Sequence, residues 1–167
     1  MLANLNLMSS YPEYRKSYDE RMRKYSLPPL DNIQTWFNIS DFAYPEHLIL
    51  WDIAQGISHH YNLLSMIVES LVTGQIRYAA LYEMKKMSVA HRKDINNMWG
   101  LIQAMLWKLN KINLVTDEAK VARLVNDACG FWQKEYMPFA AKYYPLLERV
   151  WTAEETKDAK NQPNYYD

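Results

Sequence analysis

Apolar residues recur every three or four positions through the middle of this chain, which is the pattern of helices that bury one face. The clearest case is predicted to begin at Pro45 and to end at Thr73, just before Gly74. Its apolar stripe consists of Ile49, Ile53, Ile57, His60, Leu64, Val68 and Leu71. Similar stripes predict further helices over 75–87, 89–110, 116–136 and 138–151.

Proline and glycine are scarce in the same region, which argues against a β-rich fold. The chain has four Gly and seven Pro, and no Pro lies between Glu46 and Met137. An all-β fold needs turn residues about every ten positions. The pattern therefore predicts an all-α protein, an antiparallel four-helix-type bundle with short connections.

The first 44 residues follow a different pattern and are predicted to form an N-terminal helical arm. A short helix with tyrosines along one side is expected over 11–25. The Pro28–Pro29 pair then forms a stiff joint before a second short helix that starts at Asp31. We therefore expect an arm outside the compact core over 1–44, a bundle over 45–151 and a polar C-terminal tail over 152–167.

Cysteine content and hydropathy limit the environment in which the chain is expected to work. Cys129 is the only cysteine, so the sequence gives no sign of a disulfide-stapled, secreted fold. The first ten residues lack the features of a signal peptide. The longest uncharged stretch, 53–68, is too polar and too short to span a bilayer. We expect an intracellular protein or a component of a particle.

Charge is unevenly distributed along the chain, although the net charge is zero. Residues 26–74 contain five acidic residues and no Lys or Arg, whereas 75–111 contain seven basic residues and two acidic ones. The stretch 11–25 is basic as well, with five basic residues and three acidic ones. Asymmetry of this kind carries information about partners rather than about the fold.

Two groups of basic residues are candidates for contacts with a phosphate backbone, although a plain solvated helix face would show the same pattern. In the arm they alternate with tyrosines, whose hydroxyls also donate to phosphate. In the helical stretch near 75–93 they form one broad face. No base-reading motif accompanies them, so binding would not depend on sequence. The ten candidates are Arg15, Lys16, Arg21, Arg23, Lys24, Arg77, Lys85, Lys86, Arg92 and Lys93.

No pattern for catalysis or cofactor binding occurs in the chain. A di-iron bundle needs Glu-x-x-His motifs, and no Glu here has a His three residues later. His59 and His60 are adjacent, so they point about 100° apart on a helix and cannot share a metal ion. Gly-rich phosphate loops and nucleophile motifs are missing too. We expect no catalytic residue, no metal site, no cofactor and no small-molecule substrate.

Aromatic residues are more abundant than the core of a small bundle needs. They make up 14% of the chain, with six Trp and thirteen Tyr. Aromatic side chains are enriched at protein interfaces. We therefore expect copies of the chain to associate with one another.

The order of basic arm, proline joint and aromatic-rich bundle resembles the major coat proteins of filamentous archaeal DNA viruses. The resemblance is carried by Tyr11–Leu30 (YPEYRKSYDERMRKYSLPPL) and by the bundle from Pro45 to Trp151, in architecture and length rather than in a diagnostic motif. Such proteins pair with each other or with a related second coat protein. They wrap double-stranded DNA into a helical filament, in some members under an envelope.

The resemblance implies a structural nucleocapsid protein of the virion, present in the host cytoplasm during assembly. The ten basic residues named above would then hold the DNA backbone. One departure is the zero net charge, since a protein that coats DNA is expected to be basic.

Two other functions fit the sequence. A small, aromatic-rich helical chain without metal ligands is typical of accessory subunits of multicomponent enzymes such as soluble oxygenases. Such a subunit would bind a larger, different chain and would have no affinity for DNA. The third function is a bundle enzyme that uses His59 or His60, which replacement of both residues by Ala would inactivate.

Overall fold

Five α-helices make up the computed structural model, which describes residues 4–40, 42, 45–73 and 87–146. Short 3₁₀ turns at Glu46–Leu48 and Ile112–Leu114 precede the third and the fifth helix. No strand occurs among the described residues, so the predicted all-α class is confirmed. The predicted helix over 75–87 lies outside the described residues except for Met87. The helices are α1 (Asn4–Tyr25), α2 (Leu30–Phe37), α3 (Ile49–Thr73), α4 (Val89–Leu109) and α5 (Glu118–Phe131).

Helix α1 begins earlier than the sequence predicts, and Pro12 lies inside it rather than in its first turn. A proline lacks the N–H group for one helical hydrogen bond, but here the helix continues past it. The helix ends at Tyr25, and the next residue, Ser26, has a positive φ of 54°. The N–H of Leu27 then donates to the carbonyl oxygen of Met22 at 3.1 Å. This combination is a common way for a helix to stop.

Helix α2 ends in the same way, and the chain that follows it presses against α3. Asn38 has a φ of 52°, and the N–H of Ile39 donates to the carbonyl oxygen of Gln34 at 3.1 Å. The side chain of Ile39 lies against Gly56 of α3. A Cβ atom added to Gly56 would lie 2.8 Å from Ile39 Cδ1. Gly56 is therefore the position that allows this segment to approach α3 closely.

Helices α1 and α2 share one core with the later helices, whereas the sequence predicts that residues 1–44 lie outside it. Tyr18 is fully buried, and its hydroxyl donates to the carbonyl oxygen of Pro28 at 2.6 Å. The difference arises because an amphipathic helix of this length needs a partner surface, and the bundle provides one. The buried residues of α1 and α2 are Tyr14, Tyr18, Leu30, Ile33 and Phe37.

Polar contacts between the long helices fix their directions. In the contacts between α3 and the segment that begins with α4, the residue numbers increase along α3 and decrease along its partner. Helices α3 and α4 are therefore antiparallel. In the contacts between α3 and the segment that includes α5, the residue numbers increase along both. These two helices therefore run in the same direction. The first set is Gln55–Asn113, Ser58–Asn110 and Ser65–Gln103. The second set is Trp51–Val115 and Tyr61–Ala128.

Helix α5 continues through a π-helical turn, Trp132–Tyr136, into a last helical stretch over 137–146. Pro138 gives a physical reason for this turn, because proline has no N–H to donate within a regular α-helix. In the wider turn the N–H of Met137 donates to the carbonyl oxygen of Trp132. The rings of Trp132 and Tyr136 stack with their centroids 4.8 Å apart.

Candidate interaction surfaces

Arg21, one of the predicted phosphate ligands, is the centre of an internal hydrogen-bond network. Its side chain is only 16% exposed, and Nε donates to Oε2 of Glu118 at 2.8 Å. The remaining donors reach the backbone oxygen and hydroxyl of Ser17 and the carbonyl oxygen of His47. Arg21 therefore ties α1 to the start of α5 and to the turn before α3.

Glu118 collects several contacts from α1. Besides Arg21, it accepts a hydrogen bond from the hydroxyl of Tyr25 at 3.0 Å and lies 3.6 Å from Nζ of Lys24. Burial alone would raise the pKa of the Glu118 carboxyl. The hydrogen bonds and charges of α1 outweigh that effect and lower the pKa below its usual value. The carboxylate is therefore held in its charged form by α1.

The other basic residues of α1 divide into two kinds. Arg15 pairs with Asp31 at 2.8 Å on the surface, which links α1 to α2. Lys16 and Arg23 are exposed, and no ion pair joins them to another residue in the described part of the chain. Of the five predicted phosphate ligands in α1, these two are exposed and carry no ion pair within the described residues.

The second predicted group of phosphate ligands is only partly described. Arg92 and Lys93 are exposed near the start of α4, whereas Arg77, Lys85 and Lys86 lie outside the described residues. Because α3 and α4 are antiparallel, α4 starts at the end of the pair where α3 finishes. Arg21 instead contacts the turn before α3 begins. The structure therefore places the described parts of the two basic groups at opposite ends of α3, whose 25 residues span roughly 37 Å.

The outer side of α3 and α4 has an unusual composition for an exposed surface. The runs 53–68 and 95–107 contain no Asp, Glu, Lys or Arg, although charged residues make up 23% of the chain. Large apolar side chains in these runs face solvent, with Leu63 47%, Met66 56% and Trp107 64% exposed. Exposed helix positions normally carry polar or charged residues. We define the α3–α4 face as Asn62, Leu63, Met66, Gly100, Ala104 and Trp107.

A groove of about 620 Å³ follows the seam between α3 and α4 on this face. Four of its nine lining residues carry amide or hydroxyl groups, Glu69 lies at one end, and apolar side chains line both sides. A smaller cavity of about 280 Å³ shares two residues with it and extends the seam towards Gln55 and Asn113. The polar lining of the main groove consists of Asn62, Ser65, Glu69, Gln103 and Asn110.

Trp107 is held in place on this face by a cation. Nζ of Lys111 lies 3.2 Å from the centroid of a Trp107 ring, one helical turn further along the chain. Cation–π contact of this kind is attractive and fixes the orientation of the indole. A positive charge therefore lies against the Trp107 ring on this face.

His59 and His60 do not form a common site. His59 is exposed, whereas His60 lies between Phe37 and Trp132, with ring centroids 5.5 and 5.2 Å away. Burial and then the neighbouring His59 lower the pKa of His60, against a hydrogen bond to the backbone of Phe37. Nε2 of His60 has no hydrogen-bond partner among the described residues. The geometry matches a core histidine that stays neutral.

A second cluster ties the end of the last helical stretch to α4. Asp94 accepts hydrogen bonds from Nζ of Lys142 at 2.8 Å and from the hydroxyl of Tyr143 at 2.5 Å. The bond from Lys142, followed by that from Tyr143, lowers the pKa of the Asp94 carboxyl. Both donors come from one helical segment, so the cluster acts as a structural link.

The remaining chemistry in the described residues is sparse. No group of three or more His, Cys, Asp or Glu side chains is placed there to hold a metal ion. Cys129 is buried, and burial raises the pKa of its thiol to about 12. None of the described helices has both the length and the apolar character needed to cross a bilayer.

The sequence predicts self-association from the excess of aromatic residues, Trp107 among them, but it does not locate the α3–α4 face. A signal for it exists in the two uncharged runs, 53–68 and 95–107. Such runs are equally typical of helices that are buried on all sides. Only the fold distinguishes their buried positions from their exposed ones.

Comparison of the chain with protein-family models, with curated proteins and with solved structures finds no match in any of the three.

Proposed function

We propose that this protein is a structural, non-catalytic helical protein that assembles with further copies of itself through the α3–α4 face. The observation that carries the proposal is the exposure of Leu63, Met66 and Trp107 on two adjacent helices, within the runs 53–68 and 95–107 that contain no charged residue. Centres of protein interfaces are depleted in charged residues and enriched in aromatic residues and Met. The α3–α4 face has this composition.

Contiguity distinguishes this face from ordinary surface apolar residues. A single exposed apolar side chain needs no explanation. Met66 and Trp107, however, line one groove from its two sides, and Leu63 follows on the same exposed side of α3. A contiguous apolar patch with a polar groove is typical of a surface that meets another protein.

Packaging of double-stranded DNA in a helical filament, as in the coat proteins that the chain resembles, is the more specific form of the proposal. In this form Lys16, Arg23, Arg92 and Lys93 contact phosphates, since Arg15, Arg21 and Lys24 already pair with carboxylates. The two ends of α3 are roughly 37 Å apart, about one turn of duplex. A duplex aligned with α3 would thus present phosphates at both ends.

Two finer predictions from the sequence remain part of this proposal. The four-helix-type bundle includes a helix over 75–87, which falls almost entirely outside the described residues. The virion location, the related second coat protein and the envelope depend on the resemblance to viral coat proteins alone.

Sedimentation velocity over a range of concentrations, followed by negative-stain microscopy with and without duplex DNA, tests the proposal. We expect concentration-dependent dimers or larger assemblies, and filaments when duplex is added. Binding to DNA should weaken with salt, with a slope of log affinity against log salt of about 0.9 for each phosphate neutralised. A protein that stays monomeric under all of these conditions would contradict the proposal.

An accessory subunit of a larger, multicomponent enzyme is the alternative that the same face supports. In that case a different chain covers Leu63, Met66 and Trp107. A pull-down would then recover one stable partner in fixed stoichiometry, and the purified chain would neither associate with itself nor bind DNA.

A further inference from the structure

We infer that His60 makes the packing of α2 against α3 and the π-helical turn sensitive to mild acid, so that this contact is weakened when the imidazole takes up a proton. His60 lies where the three elements meet. The centroid of its ring is 5.5 Å from that of Phe37, in α2, and 5.2 Å from that of Trp132, in the π-helical turn. The inference concerns the fold of one chain and does not depend on the proposed self-assembly.

Helix α2 depends on this contact for its stability. It has only 8 residues, and an isolated helix of that length is not stable in water. Its last residue, Phe37, is 2% exposed. Besides His60, the ring of Phe37 contacts those of Tyr61 and Trp132, with centroids 5.8 and 5.3 Å away. A change in the charge of His60 therefore acts on the packing that holds this end of α2.

The hydrogen bonds of His60 favour a neutral imidazole. A neutral imidazole has one N–H donor and one acceptor nitrogen, whereas an imidazolium has two donors. His60 hydrogen-bonds to the backbone of Phe37. Nε2 is buried and has no partner in the described part of the chain, so we assign the bond to Nδ1 and the lone pair to Nε2.

Protonation would create a buried N–H group at Nε2 without an acceptor. The indole N–H of Trp132, on the neighbouring ring, is also buried and without a partner among the described residues. This indole can only donate a hydrogen bond, so it cannot accept one from Nε2. A buried donor without an acceptor costs free energy, and the cost is larger when the group is charged.

The pKa of His60 is lowered, chiefly by burial and then by the neighbouring His59 of α3. The hydrogen bond to the backbone of Phe37 acts in the opposite direction but does not outweigh them. Burial raises the pKa of the two phenols of the cluster, Tyr61 and Tyr136, so they stay uncharged. The carboxylates on the three elements are not among the groups that set the pKa of His60. They are Asp31, Asp52, Glu69 and Glu135.

The direction of the pH dependence follows from the lowered pKa. Because the pKa of His60 in the folded chain is below its ordinary value of 6.5, the opened chain takes up the proton first. The contribution of His60 to stability is therefore complete above pH 6.5 and is lost as the pH falls through the lower, folded-state pKa. The population of the open form should rise by up to about tenfold for each unit between the two values.

Hydrogen exchange of the full-length protein at about pH 7.5 and about pH 5, corrected for the intrinsic exchange rate, measures this opening. We expect the amides of α2 to lose more protection in acid than those of α4. The carboxylates of Glu118 and Asp94 do not interfere at the lower pH, because their pKa values lie below 4.5 and 3.8.

Two substitutions identify the group that responds to acid. His60→Gln keeps an N–H donor for the backbone of Phe37 but cannot titrate, so the protection of α2 should no longer depend on pH in this range. The matched control, His59→Gln, removes the adjacent, exposed imidazole and should leave most of the acid response in place.

An NMR titration of the histidine ring protons supplies a second measurement, on the native chain, that does not depend on the folding of a variant. The signal of His60 is assigned through its contacts with the rings of Phe37 and Trp132. We expect its pKa to be below 6.5 and lower than that of His59.

Four results would overturn the inference. A pKa of His60 at or above 6.5 would mean that the aromatic rings stabilise the imidazolium. If α2 keeps its protection at the lower pH, protonation does not weaken the contact. Equal losses in His60→Gln and in the native chain would assign the response to another group. Equal losses in α2 and α4 would mean that acid destabilises the whole fold. None of these results bears on whether copies of the chain associate.

Discussion

Arg21 and Glu118 lie 97 residues apart along the chain, and Nε of the arginine donates to Oε2 of the glutamate at 2.8 Å. The pair joins the N-terminal helix to the start of α5. Arg21 therefore has a structural role in place of the predicted contact with DNA. Its guanidinium donates to four acceptors within the protein, which leaves few N–H groups to bind a phosphate.

Loss of the Arg21 side chain should destabilise the fold. Arg21→Met keeps much of the apolar stem but leaves the partly buried Glu118 carboxylate without its main donor. We expect a loss of about 2 kcal/mol in the free energy of unfolding, measured by urea denaturation. The matched control is Arg23→Met, two residues further along on the exposed side of α1, which should change stability by less than about 0.5 kcal/mol. Equal effects of the two substitutions would contradict the role of the pair.

Acid should remove the contribution of Glu118. Its pKa in the folded state is lower than the reference value of 4.5, so the unfolded chain takes up the proton first. The stabilisation is therefore complete above pH 4.5 and is lost as the pH falls through the lower, folded-state pKa. Urea denaturation between about pH 7 and about pH 3 should show a smaller loss of stability in Glu118→Gln than in the native chain. If the two proteins lose stability in parallel, the carboxylate has no special role.

Gly56→Ala should destabilise the contact between α3 and the segment after α2. Alanine favours a helix by about 1 kcal/mol over glycine. At this position, however, the new methyl group would lie 2.8 Å from Ile39 Cδ1. We expect a net loss of about 1 kcal/mol from overpacking, measured by thermal or urea unfolding.

Two comparisons test the cause of that loss. Gly130→Ala, in α5, meets no atom within 4 Å and should be neutral or stabilising. Ile39→Val removes Cδ1 but keeps a carbon at the Cγ1 position, 2.9 Å from the new Cβ, so Gly56→Ala should cost less, but still destabilise, when it is introduced into the Ile39→Val protein. A stabilised Gly56→Ala protein would mean that Ile39 moves aside freely.

The DNA prediction can be tested on the cations that remain exposed. Replacing Lys16 and Arg23 by Gln should weaken duplex binding and lower the salt slope by about 0.9 for each phosphate that is no longer neutralised. Fluorescence anisotropy at several salt concentrations measures both. Lys134→Gln, at an exposed position in the π-helical turn, is the control. An unchanged slope in the double variant would remove these two residues from any phosphate-binding surface.

The helices were predictable because their signals are local. The stripes over 45–73 and 89–110 predict α3 and α4 to within a few residues at each end. The helix predicted over 116–136 begins next to Asp117, whose side chain accepts a hydrogen bond from the N–H of Ala119 at 2.9 Å. Caps and stripes of this kind depend only on residues a few positions apart.

The roles of the charged residues were not predictable in the same way. Arg21 and Arg23 are alike in sequence, yet they lie on nearly opposite sides of the helix, about 160° apart, so Arg21 contacts α5 and Arg23 faces solvent. Arg21 faces inward because the carboxylate of Glu118, which is distant in sequence, lies beside it in the fold. The sequence does not predict the burial of α1 and α2 for a related reason. The surface that covers their apolar residues is formed by distant parts of the chain.

The burial of Cys129 makes the molecule convenient for spectroscopy. With a pKa raised to about 12, this thiol is protonated at neutral pH, and it is shielded from maleimides and nitroxide reagents. A cysteine introduced at any surface position would then be the one site that takes up a label. Distances between labelled copies in an assembly can therefore be measured on a sequence altered at a single position.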